Sequence, residues 1–310
     1  MRSKLVLFSL CVMAAVFVLA ASSSWAAPNC TIQIPGFGSP DVKIAVAANF
    51  VAAASQLITD CVSTGSCSTT GANYIICSDS TGNLRAAMGT PCPTDGQYGY
   101  FFAADTSAAI YSGCPNAGSP WSYARGVPVF FGYRNGGITD ASQLIEQTSG
   151  VAATINTTVG GNYTINTTDS CLIAVADTTA PYGVKGQALI SEMIGITIPP
   201  IPACVYDSST GAHGLFPNIG AVFAAIGTGA IKSGFVGKSQ ICSNGEVNPS
   251  IYTYVQFTND AYTLDQKAIR LNSSTEVTVF DNYITYKRGL TGSDPDSWAA
   301  FAIKNCYIYP

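Results

Sequence analysis

Residues 42–46, Val-Lys-Ile-Ala-Val, read as a buried strand. They run through Ala47-Ala48-Asn49 straight into a helical spacing of apolar residues: Phe50, Ala54, Leu57, Ile58 and Cys61. A strand that ends on small or polar residues and opens directly onto a helix leaves unbonded amides at the positive end of the helix dipole. Such a junction is ready to hold an anion. The pattern recurs at Ser80-Thr81, at Pro181-Tyr182-Gly183, and at Asn218 before Ile219. Repetition of strand then helix constrains the chain to an α/β architecture with mainly parallel sheets.

The rest of the chain keeps that rhythm. Strands are expected at 74–76, 98–103, 127–133, 172–176 and 233–236, and helices at 50–61, 83–88, 181–194, 219–226 and 297–304. Asp294 is expected to cap the last helix, with Pro295 as its first residue. Three stretches depart from it. Residues 61–77 form a Ser/Thr/Gly loop between cysteines, and 199–216 are rich in Pro and Gly. Residues 150–170 hold two Ile-Asn-Thr-Thr copies around Gly160-Gly161, which reads as an added hairpin.

Export is written at the N-terminus. Arg2 and Lys4 precede an apolar run, and Ser24-Trp25-Ala26 has the small-x-small form of a cleavage site, so residues 1–26 are expected to be a signal peptide. Its removal takes Cys11 and leaves ten cysteines of the 11, an even number that points to disulfides in an oxidising compartment. Cys61–Cys67, Cys92–Cys114 and Cys30–Cys306 are among the pairings considered; spacing alone does not choose. With no Cys-x-x-Cys pair and a single histidine, His213, the cysteines do not read as metal ligands. Of 14 basic side chains Arg2 and Lys4 leave with the signal, so 12 remain against 18 acidic ones. No basic stripe exists to bind nucleic acid.

Seven segments, in order, carry a resemblance. They are Val-Ala-Ala-Asn-Phe (46–50), Ser-Thr-Gly-Asn-Leu (80–84), Tyr-Gly-Tyr-Phe-Phe-Ala-Ala-Asp (98–105), Tyr-Ala-Arg-Gly-Val-Pro-Val (123–129), Ala-Asp-Thr-Thr-Ala-Pro-Tyr-Gly (176–183), Pro-Asn-Ile (217–219) and Ser-Gly-Phe-Val-Gly-Lys-Ser-Gln (233–240). Together they resemble the molybdate-binding proteins of ABC transporters, in the type II periplasmic-binding-protein superfamily. The resemblance implies a two-lobed fold with a two-strand hinge near 123–127 and 251–255. Lobe one would hold 41–124 plus 247–310, and lobe two 125–246. It places the family's ligand positions on Asn49, on Thr81 with Ser80 beside it, on Tyr182, and on the amide of Ile219. A fifth position, a tyrosine in some members, falls on Gly237.

The expected ligand is therefore molybdate or tungstate, held by neutral donors; no catalytic residue, metal or cofactor is expected. The expected partner is a membrane permease of the ABC type, with the binding protein itself a periplasmic or secreted monomer. The alternative is an extracellular sensor or adhesion module on the same scaffold with a lost or changed ligand. A hydrolase lacks its signature: no Gly-x-Ser-x-Gly, P-loop or His-Glu-x-x-His motif occurs.

Overall fold

The computed structural model describes residues 27–34, 41–93, 97–136, 153–157, 161–165, 173–194, 216–229, 231, 233–257 and 260–310. The signal segment 1–26, Cys171, Cys204, His213 and most of the loop 199–216 lie outside them.

Fourteen strands and six α-helices are described, in chain order. The strands are β1 (Asn29–Ile34), β2 (Asp41–Ala47), β3 (Asn73–Asp79), β4 (Tyr98–Phe102), β5 (Trp121–Gly126), β6 (Pro128–Tyr133), β7 (Ala153–Thr157), β8 (Gly161–Ile165), β9 (Ile173–Ala174), β10 (Ser233–Gly237), β11 (Cys242–Ser243), β12 (Glu246–Val247), β13 (Tyr252–Gln256) and β14 (Leu264–Arg270). The helices are α1 (Val51–Ser63), α2 (Thr81–Met88), α3 (Pro181–Ile194), α4 (Ile219–Gly227), α5 (Thr275–Gly289) and α6 (Trp298–Lys304). None is long and apolar enough to cross a membrane.

A six-stranded sheet has the order β1-β3-β2-β4-β14-β5. Its centre, β2, is parallel to both β3 and β4, as expected of a strand that feeds a crossover helix. β14 runs antiparallel to its two neighbours, and β1 antiparallel to β3. The core above β2 is aromatic. Phe50 sits at the strand-to-helix junction with ring centroids 5.0 Å from Phe102 and 4.6 Å from Tyr123. Trp298 crosses Trp121 edge-on at 4.8 Å and donates from its indole to Tyr123 O at 2.7 Å. Each fully buried ring of this kind contributes roughly 1.5–3 kcal/mol.

A second sheet has the order β13-β6-β10-β9. Phe130 and Phe235 stack in it at 4.9 Å, and α4 lays Val222 and Ile226 against its core. Among the described residues the chain passes between the sheets twice: at Val127, between β5 and β6, and again between β13 and β14. Residues 252–256 pair with 129–133 in the second sheet, where the rings of Tyr252 and Tyr254 pack, and lead into the second passage.

Other expectations change in detail. Helix α2 begins at Thr81 rather than Asn83, since the Ser80 hydroxyl caps it by accepting from Asn83 N at 3.2 Å. Helix α6 is capped by Ser297, whose hydroxyl accepts from Ala300 N at 3.1 Å; Asp294 instead closes a turn by accepting from Asp296 N. Disulfides Cys61–Cys67 and Cys92–Cys114 form. Cys30–Cys306 does not: β1 pairs along β3 and brings Cys30 to Cys77, while Cys306 joins Cys242. The expected hairpin's two strands are present as β7 and β8, antiparallel with Ile155 opposite Tyr163, and Gly160 lies outside the described residues.

Candidate functional site

Four junctions end on one cleft between the two sheets. Ala47, Ala48 and Asn49 come from the end of β2, and Ser80 and Thr81 from the start of α2. Ala180, Pro181 and Tyr182 come from the start of α3, and Asn218 and Ile219 from the start of α4. The structure thus brings together Asn49, Ser80, Thr81, Tyr182 and Ile219. Gly237 stands behind them: a side chain there would press on the Tyr182 ring, so its bareness makes room for that ring.

The described lining carries no formal charge. Amides in the first turn of a helix have no intrahelical acceptor, and three such turns aim at the same space. The Thr81 hydroxyl accepts from Ala104 N at 2.9 Å, which leaves its own proton to donate. Space is tight: about 10 Å³ is open to the centre of a water molecule, room for about one water.

Behind the pocket, Asp79 ties two helix starts together. Its Oδ1 accepts from Ser80 N at 2.6 Å, from Asn83 Nδ2 at 3.0 Å and from Asn218 Nδ2 at 3.0 Å. Asn218 Oδ1 in turn caps α4 by accepting from Ala221 N at 3.0 Å. Ser80 meets Thr179 hydroxyl to hydroxyl at 3.0 Å, and Gly82 N donates to Thr179 O at 2.9 Å. These bonds hold the two sides of the cleft closed on each other.

The opposite wall is a buried polar chain. Asn49 Nδ2 donates to Gln266 Oε1 at 3.1 Å and to Tyr307 Oη at 3.0 Å. Gln266 Nε2 donates to Tyr182 Oη at 3.0 Å, and Tyr307 Oη and Ser239 Oγ both donate to Asn49 O, at 2.8 and 3.0 Å. Burial pushes the Tyr182 and Tyr307 phenols well above their ordinary range, and the neighbouring Tyr307 raises Tyr182 further; both stay protonated. The Tyr182 hydroxyl is engaged by Gln266.

Sequence reasoning did not find Gln266, Tyr307, Ser239 or the Asn218 side chain. Gln266 carried one signal: a polar residue at a position of β14 whose neighbours two away, Leu264 and Ala268, both face inward.

No protein-family model matches the chain, and no curated protein sequence does. Solved structures do. The periplasmic molybdate-binding protein of Azotobacter vinelandii superposes with a TM-score of 0.57 at 20% identity, over 87% of this chain and 99% of that one. The substrate binding domain assigned to a molybdenum ABC transporter of Clostridium difficile gives 0.43 at 13%, over 78% and 91%. The regulatory domain of CcmR from Synechocystis PCC6803, solved with 2-PG, gives 0.45 at 8%, over 79% and 94%. At 20% identity the likeness to the Azotobacter vinelandii protein is one of fold. Two mixed α/β sheets joined by two passages, with helix starts converging between them, make this the fold of the type II periplasmic binding proteins.

Proposed function

We propose that the chain is an exported solute-binding protein that captures a small tetrahedral oxyanion, molybdate or tungstate, between two lobes and delivers it to an ABC permease. The observation that carries this reading is the convergence of Asn49, Thr81, Tyr182 and Ile219 on one uncharged pocket at helix starts. Neutral donors and helix dipoles offset a dianion without a fixed countercharge, so the ligand stays releasable. The closing bonds between the sides supply the two-state element: a ligand that touches both sides favours the closed form. Disulfides such as Cys30–Cys77 and Cys242–Cys306 fit an extracellular or periplasmic setting.

Molybdate at about 100 times its Kd should stabilise the protein by about 2.7 kcal/mol, visible as a rise in Tm. Thr81→Ala removes a donor and should weaken binding about tenfold or more, measured by calorimetry. A wild-type Tm that no oxyanion shifts would refute the reading.

One observation favours the second reading, a sensor or adhesion module whose ligand is lost or changed. The cleft has room for about one water while its sides are bonded directly to each other. A protein that stays closed in solution without any ligand, by small-angle scattering, would support it.

A further inference from the structure

Strands β10 and β13 both belong to the second sheet, and residues 238–251 between them form a strap that crosses to the other side of the cleft. The strap starts at the first passage, where Lys238 N donates to Val127 O at 2.8 Å. It keeps its hold on the second sheet: Ile241 and Val247, on either side of Cys242, are buried in one cluster with Val129 and Val236. Across the cleft Ser239 Oγ donates to Asn49 O at 3.0 Å, and Gly245 N donates to Lys304 O at 2.6 Å. The disulfide Cys242–Cys306 closes the contact.

Cys306 is anchored with the first sheet. Its neighbour Tyr307 is buried in that sheet's core with Trp298 and Phe301. Ile308 exchanges both backbone bonds with Arg125 of β5, at 2.8 and 3.0 Å. Cys306 itself has φ 58°, the left-handed region that suits glycine and disfavours a side chain, so its sulfur is carried at a backbone position that no side chain prefers. The disulfide therefore joins the two sides of the cleft outside the main chain. It lies on the same flank as both passages: Lys238 meets Val127, and Arg125, just before Val127, pairs with Asp260 of the second passage at 3.3 Å. On the other flank the described residues are held by hydrogen bonds alone, Ser80 to Thr179, Gly82 to Thr179 and Asn218 to Asp79. Such bonds exchange with water at small net cost, whereas a disulfide parts only to a reductant.

We propose that Cys242–Cys306 is a further covalent crossing of the hinge, beside the two passages, and that it makes the cleft open one way only. The flank at Ser239 and Asn49 stays shut, and the sides part where Ser80 meets Thr179 and Asp79 meets Asn218. Whatever ligand the pocket takes then enters and leaves past Ser80, Thr179 and Asn218. This goes beyond the solute-binding reading by assigning the direction of opening, and it does not depend on which solute is bound.

The bonds Gly82 N to Thr179 O and Gly245 N to Lys304 O are of the same kind and cross the cleft on opposite flanks. Hydrogen exchange at single amides, followed by NMR on the ligand-free mature protein and corrected for intrinsic rates, compares them directly. Gly82 should exchange at least about tenfold faster than Gly245, because opening breaks the first bond and spares the second. Equal rates, or the reverse order, overturn the proposal. Cys242→Ser with Cys306→Gly removes the crossing, and glycine keeps φ 58° without strain. In that variant Gly245 should exchange about tenfold faster than in the wild type or more, and the radius of gyration from small-angle scattering should rise, because both flanks now part. Faster exchange at Gly245 with an unchanged radius would mean that the strap merely frays, and that overturns the proposal. Protection of the Ile76 amide at the centre of the first sheet reports that the variant is folded; if it does not fold, the wild-type comparison decides alone. Failure to bind any oxyanion would remove the proposed function and leave the exchange result standing.

Discussion

Gly126 ends β5 directly under the Tyr182 hydroxyl and the Gln266 amide, and a Cβ there would overlap both. Neither can yield easily, because each is held by the other at 3.0 Å in a dry interior. Gly126→Ala should therefore destabilise the fold by about 1–3 kcal/mol and lower the affinity for oxyanion together with it. Denaturant titration and calorimetry check the two effects, and a fully stable Gly126→Ala would mean that Tyr182 is not fixed where the structure has it. The same contacts explain which site residues could be read in advance. Asn49, Ser80, Thr81, Tyr182 and Ile219 stand where a strand gives way to a helix, and that is a local pattern. Gln266 and Tyr307 reach Asn49 from 217 and 258 residues away, so no local spacing announces them. The bareness of Gly126 likewise has a cause only in three dimensions.

Among elements, α5 shows why legibility was uneven. Val277, Phe280, Tyr283, Ile284 and Lys287 form its buried stripe at helical spacing. The signal is blurred by Val277, Thr278, Val279, Ile284 and Thr285, whose branched side chains favour strands, and by a lysine in the stripe. Lys287 is tolerated because its ammonium donates to Asp296 O at 2.8 Å and lies 5.4 Å from the Tyr283 ring centre. By contrast α1 and α4 follow small-residue junctions and carry unbroken apolar faces, so they were readable. Strand β1 was missed because its six residues are mostly exposed: only Ile32 and Ile34 pack on the core, and Cys30 fastens the strand to Cys77. Start signals matter most where the stripe is weak. Ser274 accepts from Val277 N at 3.4 Å at the head of α5. Ser274→Ala should cost about 1 kcal/mol, read as a lower denaturation midpoint with an unchanged slope. Peptide mapping under non-reducing conditions should recover Cys30 with Cys77 and Cys306 with Cys242; recovery of Cys30 with Cys306 would contradict the pairing of β1 along β3.

At the scale of the whole molecule, tyrosines unite the two sheets and set how the fold meets alkali. Tyr74 and Tyr111 are buried in the first sheet's cores, and burial pushes both phenols up to about 12 from an ordinary 10.0, with Glu276 adding to the rise at Tyr74 and Arg85 opposing it at Tyr111. Tyr123, Tyr182 and Tyr307 are raised as well, desolvation first in each case, and Tyr182 and Tyr307 belong to the chain that joins the two sides of the cleft. A group whose folded pKa lies above its unfolded value stabilises fully below the unfolded value and loses that contribution as pH climbs through the folded one. For Tyr74 and Tyr111 the loss therefore runs from about pH 10 to about pH 12, and these phenols contribute no pH dependence near neutrality. The cleft phenols Tyr182 and Tyr307 are pushed up by burial too, so their ionisation is coupled to loss of the packing that buries them. Phenolate absorbance and tertiary circular dichroism followed together from about pH 9 to about pH 12.5 should consequently change in one cooperative step for the buried set. Ionisation of the whole tyrosine complement near about pH 10 with tertiary signal intact would show that the cleft chain is open to water. The closed arrangement of Asn49, Gln266, Tyr182 and Tyr307 would then have to be abandoned.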